Sequence, residues 1–68
     1  MKKYIEKIKK LRVDNKLKQS DVAKALNIST GCYSNYEQGI RELPLEVFIN
    51  ICNLYKISAN YLLDIEYD

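Results

Sequence analysis

The sequence predicts an all-α fold, a compact bundle of five short helices that forms a single domain over residues 1–68. Apolar residues recur three and four positions apart along most of the chain, which is the spacing of one face of a helix. The chain has only two Gly and one Pro, which argues against long linkers. Its 68 residues, 47% of them hydrophobic, suffice for one small core.

The first helix is predicted over about residues 3–14, where lysines separate regularly spaced apolar residues. Residues 14–16 interrupt this pattern, and Leu17 then returns to the core. The residues with this spacing are Tyr4 or Ile5, Ile8, Leu11 and Arg12.

The central helices are predicted over about residues 19–26 and 30–38, with a tight turn between them. Asn27 tolerates the left-handed backbone that ends a helix, and Ser29 stands where an N-cap is needed. Gly39 follows the second of these helices, as a C-terminal glycine should. The apolar faces that turn inward are Val22, Ala23 and Leu26 on one helix and Tyr33 and Tyr36 on the other. This arrangement is a helix-turn-helix, whose second helix is the candidate for reading a DNA major groove.

The last two helices are predicted over about residues 45–55 and 59–64. Pro44 suits the first position of the fourth helix, and Ser58 can cap the fifth. The apolar spacing assigns core-facing residues to both helices. They are Leu45, Val47 or Phe48, Ile51 or Cys52, and Tyr55 on the fourth helix, and Tyr61, Leu62 and one of Leu63 and Ile65 on the fifth. Most of the six tyrosines are expected in the core, and the exceptions expected at the surface are Tyr4 and Tyr67.

Charge is distributed unevenly, although the net charge is only +2. Residues 1–24 hold nine basic and three acidic residues, a net +6, whereas residues 42–68 hold one basic and five acidic residues, a net −4. A chain polarised in this way can present one end to an anionic partner. The alternative, that a lysine-rich first helix is merely solvated, is equally compatible with the charges.

Metal, membrane and secretory classes are disfavoured. There is no His, and Cys32 and Cys52 lack the spacing of a metal site, so no metal or other cofactor is expected. The charged start lacks a signal-peptide core, and no apolar run approaches membrane-spanning length, so we expect a cytoplasmic protein with reduced thiols. Cys32 could be a small apolar contact or an oxidation-sensitive thiol.

The chain resembles the Cro/CI-type, or XRE-like, helix-turn-helix family of bacterial and phage regulators, which have a lambda-repressor-like DNA-binding domain. The resemblance covers about residues 4–63. In place of the usual turn glycine stands Asn27, and Gly31 occupies a position where relatives often have a long polar side chain. The matching segments are Ile8–Arg12, Leu17–Ala23, Leu26–Ser29, Ser34–Gly39, Arg41–Pro44 and Ile57–Leu63.

The resemblance implies a DNA-binding surface. Gln19 would contact a phosphate from the start of its helix. Asn35 is the best base reader, because its amide can bond an adenine edge, and Ser34 could serve a base or a phosphate. Thr30 and Gly31 would also face the groove, where Gly31 allows a close approach. After this helix, Arg41 resembles a phosphate-contacting position. Four lysines before the helix are weaker candidates for the same contact: Lys9, Lys10, Lys16 and Lys18.

Two further residues have a structural role in the family. Arg12 and Glu37 correspond to a salt bridge between the first and third helices, so Glu37 is not read as catalytic. The chain also lacks His, a Gly-rich phosphate loop and a carboxylate cluster, and an enzyme is therefore not expected.

Two functions remain open. The first is a sequence-specific double-stranded DNA-binding regulator, a repressor acting as a homodimer on a two-fold symmetric operator. The second is a protein-interaction module, such as an antitoxin-type partner, that uses the acidic and apolar C-terminal helices to bind a regulatory protein.

Overall fold

The chain forms five helices in a computed structural model that describes residues 2–64. This part of the chain contains no strand, so the predicted all-α class is confirmed. Three of the helices end one residue earlier than predicted. The bounds are α1 Lys3–Asp14, α2 Gln19–Ala25, α3 Thr30–Glu37, α4 Leu45–Tyr55 and α5 Ala59–Leu63.

The core lies where α1, α3, α4 and α5 converge with α2. Tyr33 of α3, Ile51 of α4 and Leu62 of α5 are fully buried in it. Ile5 and Ile8 of α1 close one side, as the apolar spacing of that helix predicts. Because Tyr33 and Tyr36 are both buried, α3 has one fixed inward face.

The turn between α2 and α3 has the predicted local chemistry. Asn27 has φ 60°, a left-handed conformation that ends α2 and that Asn tolerates better than most side chains. The Ile28 N–H then donates to the Ala23 carbonyl at 3.0 Å. Ser29 caps α3, since its Oγ accepts from the Cys32 N–H at 3.0 Å. Gly39, with φ 75°, follows α3 as expected.

The start of α4 differs from the prediction in two ways. Pro44 is the N-cap, with extended backbone, and helical residues begin with Leu45. Leu45 is 73% exposed, so its assignment to the core is wrong. The α4 residues that turn inward are Phe48, Ile51 and Cys52, and the first turn of the helix extends beyond the core.

Two tyrosine predictions also fail. Tyr4 is half-buried, with its ring edge-on to Phe48 and the centroids 6.0 Å apart. Tyr61 is exposed rather than buried, because only Leu62 of α5 reaches the core. Its ring instead lies under the Lys7 ammonium, 4.9 Å from the centroid, an arrangement favoured by the negative ring face. Tyr67 lies outside the described residues.

Lys7 connects α1 to the C-terminal end of α5. Its Nζ donates to the Tyr61 carbonyl at 2.8 Å and lies 3.5 Å from the Asp64 carboxylate. Ser58 caps the other end of α5, accepting from the Tyr61 N–H at 3.1 Å, as predicted. This short helix is thus held at both ends.

Candidate nucleic-acid interface

The outward face of α3 is defined by what the helix buries. Tyr33, Tyr36 and Glu37 all turn inward. A helix has 3.6 residues per turn, so residue 31 lies on the opposite side. The residues three, four and seven positions after it share that side. This outward face, called the α3 face below, consists of Gly31, Ser34, Asn35 and Gln38.

Three of these four residues were singled out from the sequence. Gly31 is exposed, and a Cβ added there would meet nothing within 4 Å. Ser34 and Asn35 are half-buried. Thr30 is exposed in the first turn, beside this face rather than at its centre.

Gln38 is the residue that sequence reasoning missed. It is exposed at the C-cap of α3, and its Nε2 donates to Ser34 Oγ at 2.6 Å. The signal that could have found it is its position, four residues after Ser34 and seven after Gly31 on the same helix face.

Asn35 also organises the loop that follows α3. Its backbone carbonyl accepts from the Ile40 N–H at 3.0 Å and the Arg41 N–H at 3.3 Å. These bonds fold the loop back against the end of the helix, so that the exposed Arg41 lies close to the C-terminal end of α3. The phosphate-contact candidate after α3 is therefore near the α3 face.

Behind this face, Glu37 is held by a buried ion pair. Arg12 of α1 approaches it with two nitrogens, Nη2 at 2.8 Å from Oε1 and Nε at 2.9 Å from Oε2. The Glu37 side chain is 2% exposed and that of Arg12 14%. Arg12 Nη1 also donates to the Leu17 carbonyl at 2.9 Å. This bond connects the segment between α1 and α2 to the side chain of α1.

The pKa values of this pair follow from its surroundings. Burial alone would raise the pKa of Glu37, but the hydrogen bonds and charge of Arg12 outweigh it, and the pKa is lowered. The hydrogen bond to Glu37 raises the pKa of Arg12. The fully buried Tyr33 lies beside the pair, and burial, reinforced by Glu37, raises its pKa strongly. Both members of the pair are therefore charged at neutral pH.

Gln19 joins the same cluster. It is the first residue of α2, and its Nε2 donates to Glu37 Oε1 at 3.3 Å. Lys18 precedes it as the exposed N-cap residue, with its N–H bonded to Asp21 Oδ2 at 2.8 Å. The structure thus connects the start of α2 to α3 through one carboxylate.

In the folded chain, some of the basic N-terminal residues form ion pairs with acidic residues from position 42 onward. Lys2 pairs with Glu42 at 3.1 Å, and both Lys3 and Lys7 lie within 4 Å of Asp64. These contacts join the basic N-terminal end to the acidic C-terminal end. Five cations that lie around α2 and α3 in sequence form no ion pair among the described residues. They are Lys9, Lys16, Lys18, Lys24 and Arg41.

An open groove separates α1 from the start of α2 and the end of α3. Lys9 and Lys10 line one side, and Gln19 and Gln38 line the other. Lys10 is bonded to Asp14 at 3.1 Å. Glu6 and Asp14 line the α1 side as well, so the groove places side chains of both charges beside the polar ends of the two motif helices.

The two cysteines lie in different helices and differ in burial. Cys32 is half-buried on α3, and Cys52 is buried in α4, where burial raises the pKa of its thiol. Within residues 2–64, no three His, Cys, Asp or Glu side chains gather as metal ligands would. Each helix of that range also falls short of the length and apolar character needed to cross a membrane.

Comparison with known proteins agrees with this architecture. A family described as a helix-turn-helix domain matches residues 5–67. The chain is 40% identical over 60 residues to YqaE of Bacillus subtilis, named an uncharacterized HTH-type transcriptional regulator. The aligned segment covers 88% of this chain and 52% of the relative. It is 33% identical over 58 residues to ImmR of the same organism, named an HTH-type transcriptional regulator, covering 85% and 46%.

The chain thus spans about half the length of these curated relatives. No solved structure gives a significant match. The match to the family nevertheless extends over all five helices and includes the turn and the α3 face. The chain belongs to the XRE-like, Cro/CI-type family of helix-turn-helix domains.

Proposed function

We propose that this chain binds double-stranded DNA in a sequence-specific manner, as part of a transcriptional repressor, with α3 in the major groove. The observation that carries the proposal is the α3 face, which is polar, uncharged and turned away from the core by Tyr33 and Tyr36. An acidic side chain there would oppose DNA, and the one acid of α3, Glu37, is buried and paired. The chain acts as a binding module and not as a catalyst.

Within this proposal, Asn35 reads bases. Its amide offers both a donor and an acceptor, which match the N7 and N6 groups of adenine in the major groove. Gly31 leaves open space one turn earlier, so the helix can approach the bases closely. Ser34 is next to Asn35 in sequence and Thr30 lies one turn before Ser34, and both contact a base edge or a neighbouring phosphate.

Phosphate contacts then come from the residues around α3. Gln19 lies in the first turn of α2, where backbone N–H groups point outward and favour an anion. Lys18 and Arg41 are exposed on either side of the motif. Contacts of this kind set the register of the protein on DNA and contribute little to base preference.

We further propose a homodimer on a two-fold symmetric site. One helix of eight residues spans only a few base pairs, so useful specificity needs two half-sites. The two α3 helices would then be separated by about one turn of DNA, roughly 34 Å.

A second candidate function is favoured by a separate observation. Leu45 and Ile49 of α4 and Tyr61 and Leu63 of α5 are large apolar side chains left exposed. Such residues mark interaction surfaces when they are contiguous, so these helices could bind a regulatory protein, as in an antitoxin-type partner. Both functions can coexist, because α3 lies in another part of the fold.

The experiment is selection of duplexes from a random pool, followed by affinity measurements on the selected duplex and on a scrambled one. Asn35→Ala should weaken binding to the selected duplex by about 1–3 kcal/mol more than to the scrambled one. Gln19→Ala should weaken both alike. Asn50→Ala, at an exposed site on α4, is the matched control and should change neither.

If the wild type selects no sequence, the proposed function is wrong. If it selects one and Asn35→Ala loses affinity equally on both duplexes, Asn35 is not a base reader.

A further inference from the structure

The C-terminal half of the α3 face contains a hydrogen-bonded pair that the motif itself does not explain. Gln38 Nε2 donates to Ser34 Oγ at 2.6 Å, across one turn of the helix surface. We propose that Gln38 is a specificity-determining residue that reads an adenine, and that Ser34 is the positioning residue that holds its amide over the α3 face. This inference rests on the proposed DNA binding and deepens it.

The pair leaves the right groups free. A glutamine amide has two N–H donors and a carbonyl acceptor, and a serine hydroxyl has one donor and two lone pairs. One Gln38 N–H is used by Ser34 Oγ. The second N–H and the Oε1 atom have no partner among residues 2–64, and together they match the N7 acceptor and N6 donor of adenine.

The hydrogen bond also determines where the amide lies. Gln38 is the C-cap residue directly after α3, and a free glutamine at a helix end could extend toward the backbone of the DNA. Ser34 instead draws the amide back along the helix toward its N-terminal end, the direction in which helical side chains lean. The next residue along this line is Gly31, which has open space in place of a side chain. On this side of the amide, therefore, no side chain at residue 31 stands in its way.

The location of the pair favours a base over a phosphate, because both residues lie on the α3 face together with Gly31 and Asn35. Neither residue carries a charge, whereas Lys9, Lys18 and Arg41, which form no ion pair within residues 2–64, lie elsewhere in the sequence around the motif. Fixing a rotamer-rich side chain before binding lowers the entropic cost of ordering it on DNA. A glutamine fixed in this way discriminates between bases better than a free one.

The test is the base preference at each position of the selected duplex, measured with wild-type protein and variants. Gln38→Ala should abolish preference for adenine at one base pair per half-site, a loss on the order of 10- to 100-fold in discrimination. Gln38→Glu keeps the length and can accept from the Ser34 hydroxyl, but it lacks the N–H that adenine N7 requires. It should therefore lose the same preference, beyond any uniform loss from its charge.

Ser34→Ala tests the positioning role. It should reduce discrimination at that same base pair by less than Gln38→Ala does, and the double variant should lose no more there than Gln38→Ala alone. Asn50→Ala is the control and should leave all preferences unchanged.

The outcomes separate this inference from the proposed function. If the wild type selects no duplex, DNA binding itself fails. If it selects one and Gln38→Ala lowers affinity equally for all bases, or changes nothing, Gln38 does not read DNA. Losses from Ser34→Ala and Gln38→Ala that simply add at that base pair would mean that the two residues act separately.

Discussion

Removing Arg12 should strongly destabilise this fold, because it would leave a buried carboxylate without its counter-ion. The guanidinium makes two short bonds to Glu37, at 2.8 and 2.9 Å, and a third to the Leu17 carbonyl. In Arg12→Ala, the Glu37 side chain is only 2% exposed, and the side-chain bond that remains to it within residues 2–64 is the 3.3 Å one from Gln19. The change therefore affects a charge that water cannot easily reach.

The magnitude follows from the burial of the pair. Breaking a buried ion pair by removing one partner costs about 3–5 kcal/mol. The remaining Gln19 bond favours the lower end, about 3 kcal/mol. A 68-residue domain is stable by roughly 3–10 kcal/mol, so Arg12→Ala should remove a large share of its stability. The melting temperature should fall by roughly 12–24 °C.

Circular dichroism during thermal and urea unfolding at neutral pH measures this loss, and the chain offers a matched control. Lys10 and Asp14 form an ion pair at 3.1 Å, but their side chains are 74% and 58% exposed. Because water screens such a pair, Lys10→Ala should cost less than about 1 kcal/mol. A melting temperature of Arg12→Ala close to that of Lys10→Ala would refute the reasoning.

Three other predictions concern stability. Gly31→Ala should raise the melting temperature by up to the equivalent of about 1 kcal/mol, since alanine favours a helix and its Cβ meets nothing within 4 Å; strain would appear as a lower value. Tyr55→Phe should not lower the free energy of unfolding measured in urea, because among the described residues the buried Tyr55 hydroxyl has no hydrogen-bond partner; a loss above about 1 kcal/mol would reveal one. Glu37, whose pKa is lowered by folding, contributes stability above its unfolded pKa of about 4.3, and this contribution is lost as pH falls through its folded pKa. The difference in urea midpoint between wild type and Glu37→Gln should therefore shrink from about pH 6 to about pH 3, and a constant difference would contradict the assignment.

Short-range chemistry made the motif predictable from sequence. Asn27, Ser29 and Gly39 act through their own backbone or through N–H groups three residues away, and each has the predicted role. Tyr33 and Tyr36 were correctly assigned inward, because α3 has no competing apolar side. That assignment also determines which residues form the α3 face.

Features that depend on tertiary packing were less predictable. Leu45 fits the apolar spacing of α4, yet the core ends before it, and no local pattern shows where a core ends. Tyr61 is held at the surface by Lys7, 54 residues away in sequence. Gln38 was missed because its partner Ser34 becomes evident only when side-chain positions are known.

The central claim, that the α3 face binds DNA, is tested most directly by NMR titration of the isotopically labelled chain with the selected duplex. The account predicts that the largest changes in backbone amide shift occur at Gln19, Gly31, Ser34, Asn35 and Gln38, and that they weaken as salt is raised. Amides of α4 and α5 far from the motif, such as that of Asn50, should move little unless the chain dimerises on DNA through these helices. Changes confined to α4 and α5, with α3 unaffected, would contradict the claim.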